Sequence, residues 1–162
     1  MSVAYLLIGG NMGNRLAFLE DTQKKLKQRG IQVVNYSSIY ETAAWGKTDQ
    51  PSFLNQVVVV ETNLTAQNLL VELLSIEKEL GRSRAEKNGP RTIDIDILYF
   101  EKSIIREPGL CIPHERIPLR KFVLVPLAEL IPTFKDPSTE KTISQMLSEC
   151  TDQLEVELYK KN

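Results

Sequence analysis

Residues 92–100, T-I-D-I-D-I-L-Y-F, alternate isoleucine and aspartate before running into an apolar end. Period two is the signature of a β-strand, in which residues i and i+2 share a face. Ile93, Ile95 and Ile97 therefore go to a core, and Asp94 and Asp96 lie together on the opposite face with α-carbons roughly 6.6 Å apart. Outward from this strand the other elements follow. Residues 2–8 are apolar on both faces, as a central strand requires, and Gly9, Gly10, Asn11, Gly13 and Asn14 then break it. Leu16, Leu19 and Leu26 recur at helical spacing up to a stop at Gly30. A strand is predicted over 31–41, and another over 53–62, where Val57 to Val60 are strongly β-forming. Thr65 reads as the N-cap of a second helix, with Leu69, Leu70, Leu73, Ile76 and Leu80 as its stripe and Gly81 at its end.

The order strand, helix, strand, strand, helix, strand predicts an α+β chain of the ferredoxin-like sandwich type, a mostly antiparallel sheet with its helices packed on one face. The other face is left for long loops or for binding. A C-terminal extension follows: a short helix from about Pro118 that Pro126 should break, another from Lys141, and an edge strand through Leu154, Val156 and Leu158. The 162 residues suit one domain, taken here as 1–162. No run of about 18 apolar residues is present for a membrane span. Cys111 and Cys150 lack metal-ligand spacing and read as free thiols in a reducing cytoplasm. A net charge of −1 argues against a general nucleic-acid binder, yet Arg82, Arg84, Lys87, Arg91, Arg116, Arg120 and Lys121 crowd one stretch. They form either a local anion site or a solvated surface.

Chemistry concentrates around the opening strand. Aspartate is disfavoured in strands, and two carboxylates side by side repel unless a cation lies between them. Mg²⁺ takes such oxygens and completes its shell with water and substrate phosphates. Arginines match phosphate oxygens bidentately, and Arg82, Arg84 and Arg91 lie just upstream. Together these are the parts of phosphoryl transfer. A solvent-facing strand edge with arginines paired to Glu77, Glu79 and Glu86 is the alternative.

The run G-P-R-T-I-D-I-D at 89–96 resembles the signature of the 6-hydroxymethyl-7,8-dihydropterin pyrophosphokinases. The resemblance covers nearly the whole chain: A-Y-L-L-I-G-G-N-M-G-N at 4–14, S-S-I-Y-E-T at 37–42, Q-P-S-F-L-N at 50–55, I-E-x-x-L-G-R at 76–82, I-P-H at 112–114 and R-K-F-V-L-x-P-L at 120–127. It implies transfer of pyrophosphate from ATP to the pterin's hydroxymethyl group, with release of AMP, in folate synthesis. By position it implies that Asp94 and Asp96 hold two Mg²⁺ ions, and that Arg82, Arg91 and Asp96 are catalytic. Arg82 would lie in a loop that closes over the site. Glu77, Arg84, Arg91, Ile97, His114 and Arg120 match nucleotide positions. Thr42, Phe53, Asn55 and Phe122 match the pterin pocket, which Trp45 is expected to line as well. The expected partners are ATP and a reduced pterin, with no nucleic acid or membrane, and a cytoplasmic monomer is expected. Asn88 stands where the family often has tryptophan; Gly10, Ala44, Trp45 and Glu115 are further departures.

Two other readings use the same parts. A different Mg²⁺-dependent phosphotransferase could also be built from a D-x-D pair and arginines. A non-catalytic ferredoxin-like module binding RNA or a small ligand would want aromatic residues, not aspartates, on the strand face.

Overall fold

The structure, a computed structural model, describes residues 1–43, 51–81 and 92–160. The elements come in the predicted order with one strand more between the helices: β1 (Ser2–Gly10), α1 (Arg15–Gln28), β2 (Gln32–Tyr36), β3 (Tyr40–Thr42), β4 (Phe53–Thr62), α2 (Ala66–Glu79) and β5 (Asp94–Phe100). The C-terminal extension adds the hairpin β6 (Ile105–Glu107) and β7 (Leu110–Ile112), then α3 (Lys121–Leu130), α4 (Ile143–Glu149) and β8 (Val156–Leu158). The main sheet runs β5-β1-β4-β3-β8, with β2 also paired to β4. Its pairings are antiparallel, so this is the ferredoxin-like arrangement with β1 and β4 at the centre.

The two predicted helices begin and end on the residues that favour those ends. Asn14 accepts from the Ala17 amide and Thr65 from that of Asn68, each at 3.1 Å, which satisfies one orphan donor of the first turn. Gly30 and Gly81 take left-handed φ of 74° and 88° just past the helix ends, where a side chain would be strained. Both helices lie on one face. Leu19, Leu26, Leu69, Leu73 and Ile76 bury their stripe against Ala4, Leu6, Ile8, Val58, Val60 and Ile95. Each such side chain taken out of water contributes about 1.5–3 kcal/mol before the entropy of ordering it is subtracted.

The other face carries Leu7, Val57, Leu98 and Tyr99. The extension lies across part of it, through Ile117, Val123, Leu124 and Leu127 and through Ile143 and Met146 of α4. Tyr99 is fully buried there, and its hydroxyl donates to Asp136 Oδ2 at 2.6 Å. Glu129 near the end of α3 ties the extension to the sheet by accepting from the Ser38 amide at 2.9 Å and the Tyr40 hydroxyl at 2.6 Å.

The structure departs from the sequence-based expectation at four places. The strand over 31–41 is two strands, because at Ser37 the side chain takes over a ladder bond: Ser37 Oγ accepts from the Val57 amide at 3.0 Å. Pro126 sits inside α3 without breaking it. Tertiary burial of the surrounding Phe122, Val123, Leu124 and Leu127 holds the helix despite the missing donor. Gly9 and Gly10 do not end β1; both pair with β4, and it is Gly13, at φ 65°, that turns the chain. The β6–β7 hairpin was not foreseen. Its loop is Pro108-Gly109, with Gly109 at φ 80°, the residue order a type II turn favours.

Candidate active site

Residues paired directly across an antiparallel ladder point to the same side, so the register itself builds the site. Asp94 pairs with Gly9, and Gly9 pairs with Asn55 on its other side. Two residues along, Asp96 is opposite Leu7 and Leu7 opposite Val57. Thr42 of β3 faces Phe53 of β4. All of these lie on the face away from α1 and α2. They open into one basin lined by Gly9, Thr42, Phe53, Asn55, Asp94 and Asp96, with Arg120 and Phe122 contributed by the start of α3.

Gly9 is the flat spot in the floor. A Cβ there would overlap Asn55 Oδ1 and come within 2.7 Å of the Leu54 carbonyl oxygen, so only glycine lets β4 and the Asn55 amide lie this close. Thr42 is buried, and its hydroxyl donates to the Glu155 carbonyl at 3.1 Å, which fixes the wall to the chain leading into β8. Asn55 is buried too, and Phe53 and Phe122 share the lining with it. The Arg120 guanidinium carbon sits 5.5 Å from the Phe122 ring centroid, within reach of the ring's negative face. Along the sheet the basin thus has an ionic end on β5, with two carboxylates, and an aromatic end on β3 and β4, with Phe53 and the Asn55 amide. From the other side α3 brings the Arg120–Phe122 pair to its lining.

Residues 5–132 match the sequence profile of the 7,8-dihydro-6-hydroxymethylpterin-pyrophosphokinase (HPPK) family. The chain belongs to this family. It is 46% identical over 133 residues to the 2-amino-4-hydroxy-6-hydroxymethyldihydropteridine pyrophosphokinase of Methylorubrum extorquens, covering 82% of this chain and 84% of that protein. It is 40% identical over 148 residues to the folic acid synthesis protein fol1 of Pneumocystis carinii, covering 91% of this chain but only 20% of the longer protein. The Plasmodium falciparum HPPK-DHPS crystal structure superposes with a TM-score of 0.72 at 18% identity, covering 91% of this chain and 45% of that one, which is a likeness of fold. As an HPPK the chain is a pyrophosphokinase, an enzyme of the transferase class. Among the described residues no helix is long and apolar enough to cross a membrane.

Of the expected HPPK site residues, the basin brings together Thr42, Phe53, Asn55, Asp94, Asp96, Arg120 and Phe122. Three others lie off its lining. Ile97 is 5% exposed and packs in the core under α1 and α2, so its side chain points away from the basin. Glu77 is 2% exposed, and its Oε2 accepts from the Ile95 amide at 2.7 Å. Among the described residues β5 has a single strand partner in the sheet, so Glu77 satisfies a donor on its outer edge, between the two aspartates. His114 is half-buried: its amide donates to the Leu98 carbonyl at 3.1 Å, and its Nδ1 accepts from the Arg116 amide at 3.2 Å. Burial, then the nearby Arg120, hold the His114 imidazole below its ordinary range, with Arg116 adding to the effect and Glu115 and Asp94 opposing it. An accepting Nδ1 leaves Nε2 as the nitrogen that carries the hydrogen. Trp45, Arg82, Arg84 and Arg91 lie outside the described residues, as do Ala44 and Asn88.

Gly9 was missed as a site residue because glycines after a strand read first as a turn. The signal was there: a glycine at a position where the apolar alternation could continue marks a close approach. Leu7 and Ala43, also in the lining, carry no chemical signal in the sequence at all.

Proposed function

We propose that this basin holds both substrates of the pyrophosphoryl transfer, with the pterin at the aromatic end and the ATP triphosphate at the ionic end. The observation that carries the assignment is the row Asp94–Gly9–Asn55, which sets the phosphate-binding carboxylates and the ring-reading amide side by side on one surface. Phe53 and Phe122 bound the flat ring of 6-hydroxymethyl-7,8-dihydropterin, and Asn55 presents both a donor and acceptors to its polar edge. Arg120 reaches the triphosphate from α3. Arg82, Arg84 and Arg91 are assigned to the nucleotide on the strength of the G-P-R-T-I-D-I-D motif and the arginines upstream of it. Trp45 is assigned to the pterin on position, and His114, Glu77 and Ile97 to the surroundings of the nucleotide.

Asp94 and Asp96 present two hard carboxylates to the basin, a donor set that suits Mg²⁺, which takes one or two carboxylates and fills its shell with water and phosphate oxygens. Two such ions, when bound there, would screen the triphosphate charge and favour the alkoxide form of the attacking hydroxyl. The chain's own part is positioning: it excludes water from the aromatic end and holds the hydroxymethyl oxygen in line with the β-phosphorus. A bond forms between that oxygen and Pβ as the bond from Pβ to the α,β-bridging oxygen breaks. AMP leaves with the bridging oxygen, and the hydroxyl proton passes to solvent.

The 162 residues are read as one catalytic domain, a cytoplasmic monomer acting on small molecules without nucleic acid or membrane. Sedimentation of the free protein at twice the chain mass would overturn the monomer. The reaction is tested by incubating the protein with ATP, Mg²⁺ and the dihydropterin and resolving the nucleotide products. AMP formed in step with a pyrophosphorylated pterin is expected. ADP would make the chain a phosphotransferase and free pyrophosphate a nucleotidyltransferase. No pterin-dependent turnover by folded protein would leave only a binding module.

A further inference from the structure

Arg15, the first residue of α1, stands outside the basin yet grips both ends of its wall. Its Nη1 donates to Glu41 Oε2 at 2.7 Å and to the Ser52 hydroxyl and carbonyl oxygens at 3.0 Å each. Ser52 Oγ in turn donates to the same Glu41 oxygen at 2.8 Å. Glu41 immediately precedes Thr42, and Ser52 immediately precedes Phe53, the pair that faces across β3 and β4 into the basin. Because neighbours in a strand point to opposite faces, Glu41 is held from the α1 side while Thr42 is presented on the other. Asn11 reinforces the same stem by donating to the Pro51 carbonyl at 3.0 Å. β3 is only three residues long, paired with β4 on one side and β8 on the other, so the side-chain contacts at the stem add to a short ladder.

We propose that Arg15, Glu41 and Ser52 are positioning residues for the acceptor substrate: from behind the sheet they set the separation of Thr42 and Phe53 and so the fit of the pterin ring. The inference rests on the reading of the basin as the pterin site. The Arg15 and Glu41 side chains remain 26% and 35% exposed. A pair this accessible contributes little to global stability, so its effect falls on local geometry. The ionic hydrogen bonds are short and directional, which suits a spacer. Arg15 is not among the residues that line the basin.

The test is steady-state kinetics on the full chain with pterin and ATP varied separately, alongside thermal melting, for Arg15→Ala, Arg15→Lys and the exchange Arg15→Glu with Glu41→Arg. Arg15→Ala should raise the pterin KM about tenfold, equivalent to ~1.4 kcal/mol, with the ATP KM and the melting temperature little changed. Arg15→Lys should recover part of the loss and the exchanged pair most of it. A pterin KM unmoved in Arg15→Ala, or pterin and ATP parameters moved alike with a lower melting temperature, would overturn the proposal. Wild-type protein that shows no pterin-dependent AMP overturns the assignment of the basin, and the clamp's role with it, so the two failures are told apart by the wild-type assay alone.

Discussion

Replacing Gly9 by alanine perturbs the floor of the basin with a single methyl group. The φ of Gly9 lies outside the left-handed region, so the substitution brings no backbone strain of its own. The added Cβ would overlap Asn55 Oδ1, lie 3.0 Å from Asn55 Cγ and 2.7 Å from the Leu54 carbonyl oxygen. The amide tip can swing aside. The carbonyl cannot, because Leu54 is paired with Gly10 in the β1–β4 ladder at the centre of the sheet. Relief to an ordinary contact requires the strands to part by roughly half an ångström, and overpacking of this kind costs about 1–3 kcal/mol. The swing of Asn55 adds a second effect, loss of its proposed hydrogen bonds to the pterin edge, about 1–3 kcal/mol or a roughly 5- to 150-fold weaker complex. Urea unfolding would read the first and titration with the dihydropterin the second. A Gly9→Ala protein with wild-type stability and wild-type pterin affinity would refute both the close approach and the place of Asn55 in the site.

Three other outcomes follow from the same geometry. Asp96→Ala should cut turnover by about 10²–10³ or more with an unchanged melting curve, since Asp96 belongs to neither apolar cluster; a fully active variant would show the carboxylates to be dispensable. Tyr99→Phe removes the hydroxyl that donates to buried Asp136 and should cost about 1–3 kcal/mol in urea unfolding. Activity per folded molecule should stay the same, and an unmoved unfolding midpoint would contradict it. Hydrogen bonds from Arg15 and Ser52 hold the Glu41 carboxyl below its usual 4.5. The unfolded chain therefore takes up that proton first as the pH falls, so the pair's stabilisation is full above about pH 4.5 and is lost as the pH drops through the lower folded value. That stabilisation is small for a pair this exposed, so the reading is an NMR titration of the Glu41 carboxyl. Its midpoint should lie below 4.5 and rise in Arg15→Ala, and a midpoint that does not move would argue against the interaction.

The parts of the fold that could be read in the sequence are those decided by local periodicity. The I-D-I-D-I alternation gives both the strand β5 and the face on which its aspartates lie. The cap Thr65 and the closing glycines Gly30 and Gly81 bound the helices, whereas Asn14, which reads only as part of the break after β1, caps α1 in the structure. What local pattern could not supply is register. Thr42 and Phe53, or Gly9 and Asn55, become neighbours only once β4 has paired with β3 and β1 over separations of 11 and 46 residues, and nothing within a short window encodes that meeting. Phe122 belongs to an apolar run that reads as core, and it is indeed 9% exposed among buried side chains. It reaches the basin only because α3 folds back across the sheet. Ser37 and Pro126 misled for the opposite reason, since each local preference was overruled by partners elsewhere in the chain, Val57 in one case and the packed second cluster in the other.

Asp94, Gly9 and Asn55 are consecutive across three hydrogen-bonded strands. Adjacent strands stand ~4.8 Å apart, so the stretch from the carboxylate strand to the amide strand is about two such steps, ~9.6 Å. It acts as a gauge cut into the main chain, and its graduations are peptide hydrogen bonds rather than rotamers. An acceptor whose hydroxyl stood one methylene farther from its ring would overshoot this gauge, and by more than the strands part even when a methyl group is forced between them at Gly9.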